Sequence, residues 1–98
     1  MKIIWSPLSV EKIQEIVNYI SEDNKVAAIK WAEELFNKIE KVQSFPQMGR
    51  KVPEIRRKDI KEIAYGNYRF IYKISDEAIH ILTIRSSKQN LKDSDLEL

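Results

Sequence analysis

The spacing of apolar residues changes period once along this chain, and that change fixes the layers it can fold into. From Leu8 to Val42 apolar residues recur every three to four positions, the period of a helix with one buried stripe. From Ile60 onward they recur every second position, the period of a strand with two distinct faces. The apolar, β-branched run "KIIW" at residues 2–5 reads as an opening strand. Ser6 followed by Pro7 then starts a helix, the serine as cap and the proline in the first turn. Its stripe is Leu8, Ile13, Ile16, Val17 and Ile20, and "SEDNK" at residues 21–25 breaks it. A second helix is expected from about Lys25 to Ser44, with Ala28, Ala32, Leu35, Ile39 and Val42 as its stripe and Trp31 and Phe36 on its flanks. Glu34 and Lys38 sit one turn apart on its outer face. Pro46 and Gly49 end the helical region, and their loop is expected to stay irregular to Asp59.

Three alternating runs close the chain: "IKEIAY", "YRFIYKI" and "AIHILTIR". Gly66-Asn67 joins the first two as a hairpin, and "SDE" turns into the third. The expected order is β-α-α-β-β-β, an α+β fold in which a helical hairpin packs on one face of a small, mainly antiparallel sheet. One domain spans residues 1–98, with a polar tail from about residue 86 that is expected to fray or to dock on a partner.

A two-layer arrangement makes one residue conspicuous. Tyr68, Phe70, Tyr72 and Ile74 fall on one face of their strand, and Arg69, Ile71 and Lys73 on the other. If the first set meets the helices, Arg69 and Lys73 stand on an open face. Arg69 then has two roles open to it, an ion pair with Glu62 of the neighbouring strand or contact with a partner. A slip of one residue in register exchanges the faces.

Composition narrows the chemistry. The chain is 43% hydrophobic and 33% charged, as in a soluble globular domain of 98 residues. It has no cysteine and one histidine, His80, so neither a metal nor another cofactor is expected. No apolar run approaches the roughly 20 residues that span a bilayer, and the apolar part of "MKIIWSPLS" is too short for a secretory signal. A cytoplasmic protein is expected. The formal net charge is +2, but residues 45–61 hold Arg50, Lys51, Arg56, Arg57, Lys58 and Lys61 against Glu54 and Asp59. A local basic surface of this kind suits an acidic partner. Gly49 reads as a turn residue, and "MGR" lacks the glycine-rich run of a phosphate loop. Trp5, Trp31, Tyr65, Tyr68 and Tyr72 read as packing residues rather than as platforms for bases.

Four stretches together resemble the RelE/ParE superfamily of toxins from bacterial type II toxin–antitoxin modules. They are "IIWSPLSVEKIQEIVNYI", "AAIKWAEELFNKIEKVQSFPQMGRKVPEI", "IKEIAYGNYRFIYKI" and "IHILTIRSS". The resemblance covers residues 3 to about 87, and "FPQMGRKVPEI" followed by "YGNYRFIY" looks closer to the ParE branch. It implies a toxin silenced by a cognate antitoxin. ParE-like members poison DNA gyrase, whereas RelE-like members cleave mRNA on the ribosome.

The resemblance also implies site residues. For a nuclease the candidates are Arg69, which matches the arginine of the family's "Y-R" strand, Arg85 near a second family arginine, and Glu54 as the nearest loop carboxylate. Cleavage by a 2′-hydroxyl needs a base, a phosphate clamp and an acid. The nuclease branch often has histidine, tyrosine or further basic residues beyond the last strand, where this chain has "SSKQN". For binding of target or antitoxin the candidates are Arg50, Arg56, Arg57, Lys58, Arg69, Lys73 and Arg85. Three readings stand: a ParE-type gyrase poison, a RelE-type mRNA endoribonuclease acting with the ribosome, and an inactive homologue that only binds.

Overall fold

Ser6 does two jobs at the start of the chain. The computed structural model, which describes residues 1–97, places a strand at Lys2–Trp5 (β1) and a helix at Pro7–Asp23 (α1). Ser6 lies between them in extended backbone. Its Oγ accepts from the Ser9 amide at 3.0 Å and donates to the Leu82 carbonyl at 2.7 Å. The cap that starts the helix therefore also ties it to the sheet.

Asn24 alone separates α1 from the helix Lys25–Ser44 (α2), a tighter link than "SEDNK" suggested. Its N–H donates to the Ile20 carbonyl at 3.0 Å, closing α1. Its Oδ1 accepts from the Ala27 amide at 3.1 Å, opening α2. Ala28, Leu35, Ile39 and Val42 are buried, as the stripe requires. The outer-face ion pair is Lys30–Glu34 at 4.0 Å rather than Glu34–Lys38.

Pro46–Met48 forms a 3-10 turn, followed by the two-residue strand Arg50–Lys51 (β2). Regular structure thus begins before Ile60, because β2 pairs with Lys61 and Glu62 at the sheet edge. Ile60–Tyr65 (β3), Tyr68–Ile74 (β4) and Ala78–Ser86 (β5) follow as an antiparallel meander. The order across the sheet is β1-β5-β4-β3-β2, with β1 parallel to β5. Gly66 takes φ +57 at the first central position of the β3–β4 turn, a conformation glycine adopts without penalty.

Leu35, Ile39 and Val42 pack on Ile63, Phe70, Tyr72, Ile79, Ile81 and Ile84 to form the main core. Phe70 and Tyr72 do face the helices. The opposite face is not open, however. Val52 and Ile55 from the β2–β3 loop, with Leu91 and Leu96 from the tail, close over Ile60, Ile71 and Leu82. These four residues sit singly in polar sequence, so no periodicity announced them. Leu82 joins them because the β4–β5 register shifts between Ile71 and Tyr72, which leaves Leu82 as the extra residue of a bulge.

Candidate functional site

The strands set the geometry around Arg69 before any side chain is considered. Arg69 lies opposite Ala64 on β3 and opposite Arg85 on β5, while Glu62 lies opposite Ile71 and Arg50. Two arginines facing each other across a ladder repel unless each finds an anion. Arg69 turns toward Glu54 and Glu62, and Arg85 turns toward Asp95 at 3.8 Å and the Asn90 carbonyl at 3.4 Å.

Arg69 is only 6% exposed, so the expectation of an arginine on an open face is overturned. Its Nη1 donates to Glu54 Oε1 at 3.0 Å and to Glu62 Oε1 at 2.8 Å. Its Nη2 donates to Glu54 Oε2 and, at 2.6 Å, to the Gln89 carbonyl. All four Nη hydrogens are thereby engaged. Glu62, whose side chain is fully buried, also accepts from Arg50 Nε at 2.6 Å. Glu54 Oε2 further accepts from the Leu91 amide at 3.0 Å. Two arginines and two glutamates balance in charge, and the pair with Glu62 is the one the sequence offered for Arg69.

This network is the joint of the second face. It links the β2–β3 loop through Glu54, the sheet through Glu62 and Arg69, and the tail through Gln89 and Leu91. The hydrogen bonds from Arg69 hold the Glu54 carboxyl down at about 2, well below its ordinary value of 4.5, against the opposing effect of burial. A folded-state value below the unfolded one gives stability that is complete above about pH 4.5. That stability is lost as pH falls toward about 2. The expected contribution is roughly 3 kcal/mol. Urea denaturation from pH 7 to pH 2.5 should show the loss, and Glu54→Gln should flatten the profile. Parallel profiles for the two proteins would show that Glu54 carries no such linkage.

Burying Leu91 and Leu96 (4% and 2% exposed) stabilises the covering tail by about 3–6 kcal/mol. Arg69 Nε, Arg85 Nε and Thr83 Oγ1 are buried on this face and take no hydrogen-bond partner from the protein among the described residues. Arg69 and Arg85 share one cross-strand row, and Thr83 shares the next with Ile71.

The remaining candidate residues lie elsewhere. Arg56 and Lys58 are exposed in the β2–β3 loop, and Arg57 is exposed with a bidentate bond to Asp59 at 2.8 and 3.1 Å. Lys73 is half-buried on β4 opposite Ile60 and His80, and His80 Nε2 lies 3.4 Å from Ser75 Oγ. The structure therefore gathers Arg50, Glu54 and Arg69 into one cluster, with Arg85 beside it, and leaves Arg56, Arg57 and Lys58 outside the network. Sequence reading missed Glu62 as shared between two arginines, and it missed the hold of Gln89 and Leu91 on the tail. Gly49 is extended rather than turned (φ −71, ψ 161), and what requires glycine there is the Tyr72 ring against its Cα. Tyr65 donates to the Trp31 carbonyl at 2.6 Å, and Trp31 packs on Tyr65 and Tyr68 with ring centroids 5.5 and 5.8 Å apart. These aromatic groups act in packing, as expected.

A helical hairpin on one face of a five-stranded mixed sheet is the RelE/ParE-like fold. The family model described as the ParE toxin of the type II toxin–antitoxin system parDE matches residues 3–91. The chain belongs to that family. In fold it is similar to a chain of the chromosomal ParDE TA system from P. aeruginosa, with a TM-score of 0.72 and 15% identity over 88% of this chain and 95% of that one. No curated protein matches this chain. No described helix is long and apolar enough to cross a membrane.

Proposed function

We propose that this protein arrests growth by poisoning DNA gyrase and is silenced by a cognate antitoxin. The observation that carries this choice of target is the state of Arg69. A nuclease of the related branch needs strand arginines to hold the scissile phosphate. Here the Nη donors of Arg69 are spent on Glu54, Glu62 and Gln89. The chain also lacks the histidine or tyrosine that the nuclease branch often carries beyond its last strand, since neither follows His80. The exposed cations of the β2–β3 loop remain to meet a protein target. For the antitoxin, a groove of about 320 Å³ lined by Trp5, Val10, Ile13, Gln14 and Phe36 suits the apolar face of a partner helix.

Purified protein should inhibit gyrase-driven supercoiling and trap gyrase in cleaved DNA, with cellular mRNA left intact. Codon-phased cuts in mRNA upon induction would instead establish a ribosome-dependent nuclease. Arg56→Ala with Arg57→Ala is expected to lower toxicity at least tenfold. Folding stability should change by less than about 1 kcal/mol, since the ion pair lost among the described residues, Arg57–Asp59, is solvent-accessible. Full toxicity of the double variant would remove the loop from the target interface.

A further inference from the structure

We infer that residues 87–97 form a detachable strap, and that the sheet face beneath it is a docking surface for an acidic, leucine-bearing segment of a partner protein. The inference concerns the apolar face that Val52 and Ile55 of the β2–β3 loop help to line, not the exposed cations of that loop or the groove just described, and it does not depend on which target the toxin meets.

The first support is the way the strap is held. Among the described residues, its backbone–backbone hydrogen bonds to the rest of the fold are Ser87 N–H to the Asn67 carbonyl at 2.8 Å and Gln89 N–H to the Ser86 carbonyl at 3.1 Å. Beyond Gln89 N–H, the described contacts that grip it are made by side chains: Arg69 on Gln89, Glu54 on Leu91, and Arg85 on Asn90 and Asp95. Its last turn is self-contained. Lys92 N–H donates to Asp95 Oδ2 at 2.9 Å, and Asp95 N–H returns to the Lys92 carbonyl at 2.9 Å. Opening at Ser87 and Lys88 therefore breaks no pairing between strands, and the strap can leave while the five strands stay joined.

The second support is the hydrogen-bonding capacity of the face. Arg69 Nε, Arg85 Nε and Thr83 Oγ1 lie on adjacent cross-strand rows and take no partner from the strap or from the other described residues. A segment laid on the same rows meets two guanidinium N–H donors and a hydroxyl there.

The third support identifies the occupant. The strap shows what the face accepts. Leu91 and Leu96, five residues apart, fill the space between Val52, Ile55, Ile71 and Leu82. A carboxylate at Asp95 answers Arg85, and a carbonyl at Gln89 answers Arg69. A partner segment of two spaced leucines with acidic residues between them reproduces each of these interactions. It competes with the strap for one surface rather than adding to it.

Hydrogen exchange on the full chain tests the strap. The amides of Leu91 and Asp95 are expected to exchange at least 100-fold faster than those of Ile71 and Thr83. Leu96→Ala should speed the strap amides a further tenfold or more and leave the β4 amides unchanged. Equal rates for strap and strand in both proteins would show that the segment opens only with the whole fold, and would overturn the strap. A fluorescent peptide of sequence NLKDSDLEL tests the docking surface. It should bind Leu96→Ala at least tenfold more tightly than the unaltered chain, because the weakened strap competes less. Equal binding to both proteins, or binding to neither, would overturn the docking surface. A dimer of Leu96→Ala that forms with rising protein concentration would assign the face to a second copy of this chain and overturn the partner reading.

Discussion

Arg69→Ala is expected to cost about 3–5 kcal/mol of folding stability, enough to unfold much of a domain this size. The loss comes less from the bonds removed than from what they leave behind. Glu62 has a fully buried side chain, and with Arg69 gone its remaining counter-charge is Arg50, whose side chain is 71% exposed. Glu54 loses both of its guanidinium bonds, and the Gln89 carbonyl loses its donor. Arg69→Lys should recover part of the loss, because it keeps the charge but not the fork that spans both glutamates. Replacing the group as a whole should be far milder than removing one member. Arg69→Met combined with Glu62→Leu and Glu54→Gln is expected to lie within about 2 kcal/mol of the parent. Chemical denaturation of the three proteins measures this ordering. A fully stable Arg69→Ala would mean that the buried glutamates are compensated in some other way. Loss of toxicity in Arg69→Ala is therefore no sign that Arg69 touches a target, unless the protein is shown to remain folded.

The same residue shows how far the sequence could be read. The period of two across "YRFIYKI" put Phe70 and Tyr72 on one face and left open which face meets the helices; in the fold it is theirs. It also placed Arg69 on the opposite face, and that is where it lies. What failed was the inference that a face without helices is an open face. Val52, Ile55, Leu91 and Leu96 cover it from irregular segments. Such residues carry no period, because a loop is not obliged to repeat. Glu54 was singled out as the nearest loop carboxylate, but its grip on Arg69 depends on the fold of residues 52–59, which local rules do not supply. The helices were more legible because their ends carry explicit chemistry. Ser6 accepts from an orphan amide and Pro7 has no amide hydrogen to satisfy, whereas Asn24, which caps α2 in the same way, was hidden within "SEDNK". At Gly49 the residue type was informative and the reason drawn from it was not, since close approach and left-handed turns both favour glycine.

Gly49 gives the second large effect. Its Cα faces the Tyr72 ring, and a Cβ built there would run into the Tyr72 hydroxyl oxygen first and would sit 2.9 Å from Tyr72 Cε1 and 2.9 Å from the Glu62 carbonyl. The tyrosine cannot easily withdraw, because it is fully buried and held from both sides. Its Oη accepts from the Gly49 amide at 2.9 Å and donates to the Pro46 carbonyl at 2.8 Å. Burial also pushes the Tyr72 hydroxyl above its ordinary pKa, so it stays protonated as a donor. Gly49→Ala is expected to cost about 2–3 kcal/mol, the range for a side chain forced into a filled space. Tyr72→Phe is expected to cost about 1–3 kcal/mol, since it strands both backbone groups. The double variant distinguishes overpacking from a loss of backbone freedom. With the hydroxyl removed, much of the clash at position 49 is relieved, so the two costs should fall short of additivity by about 1 kcal/mol or more. Equilibrium denaturation of the four proteins closes that cycle. Strict additivity would show that the alanine is penalised by the Glu62 backbone instead, and that Tyr72 holds the 3-10 turn without selecting the residue that follows it.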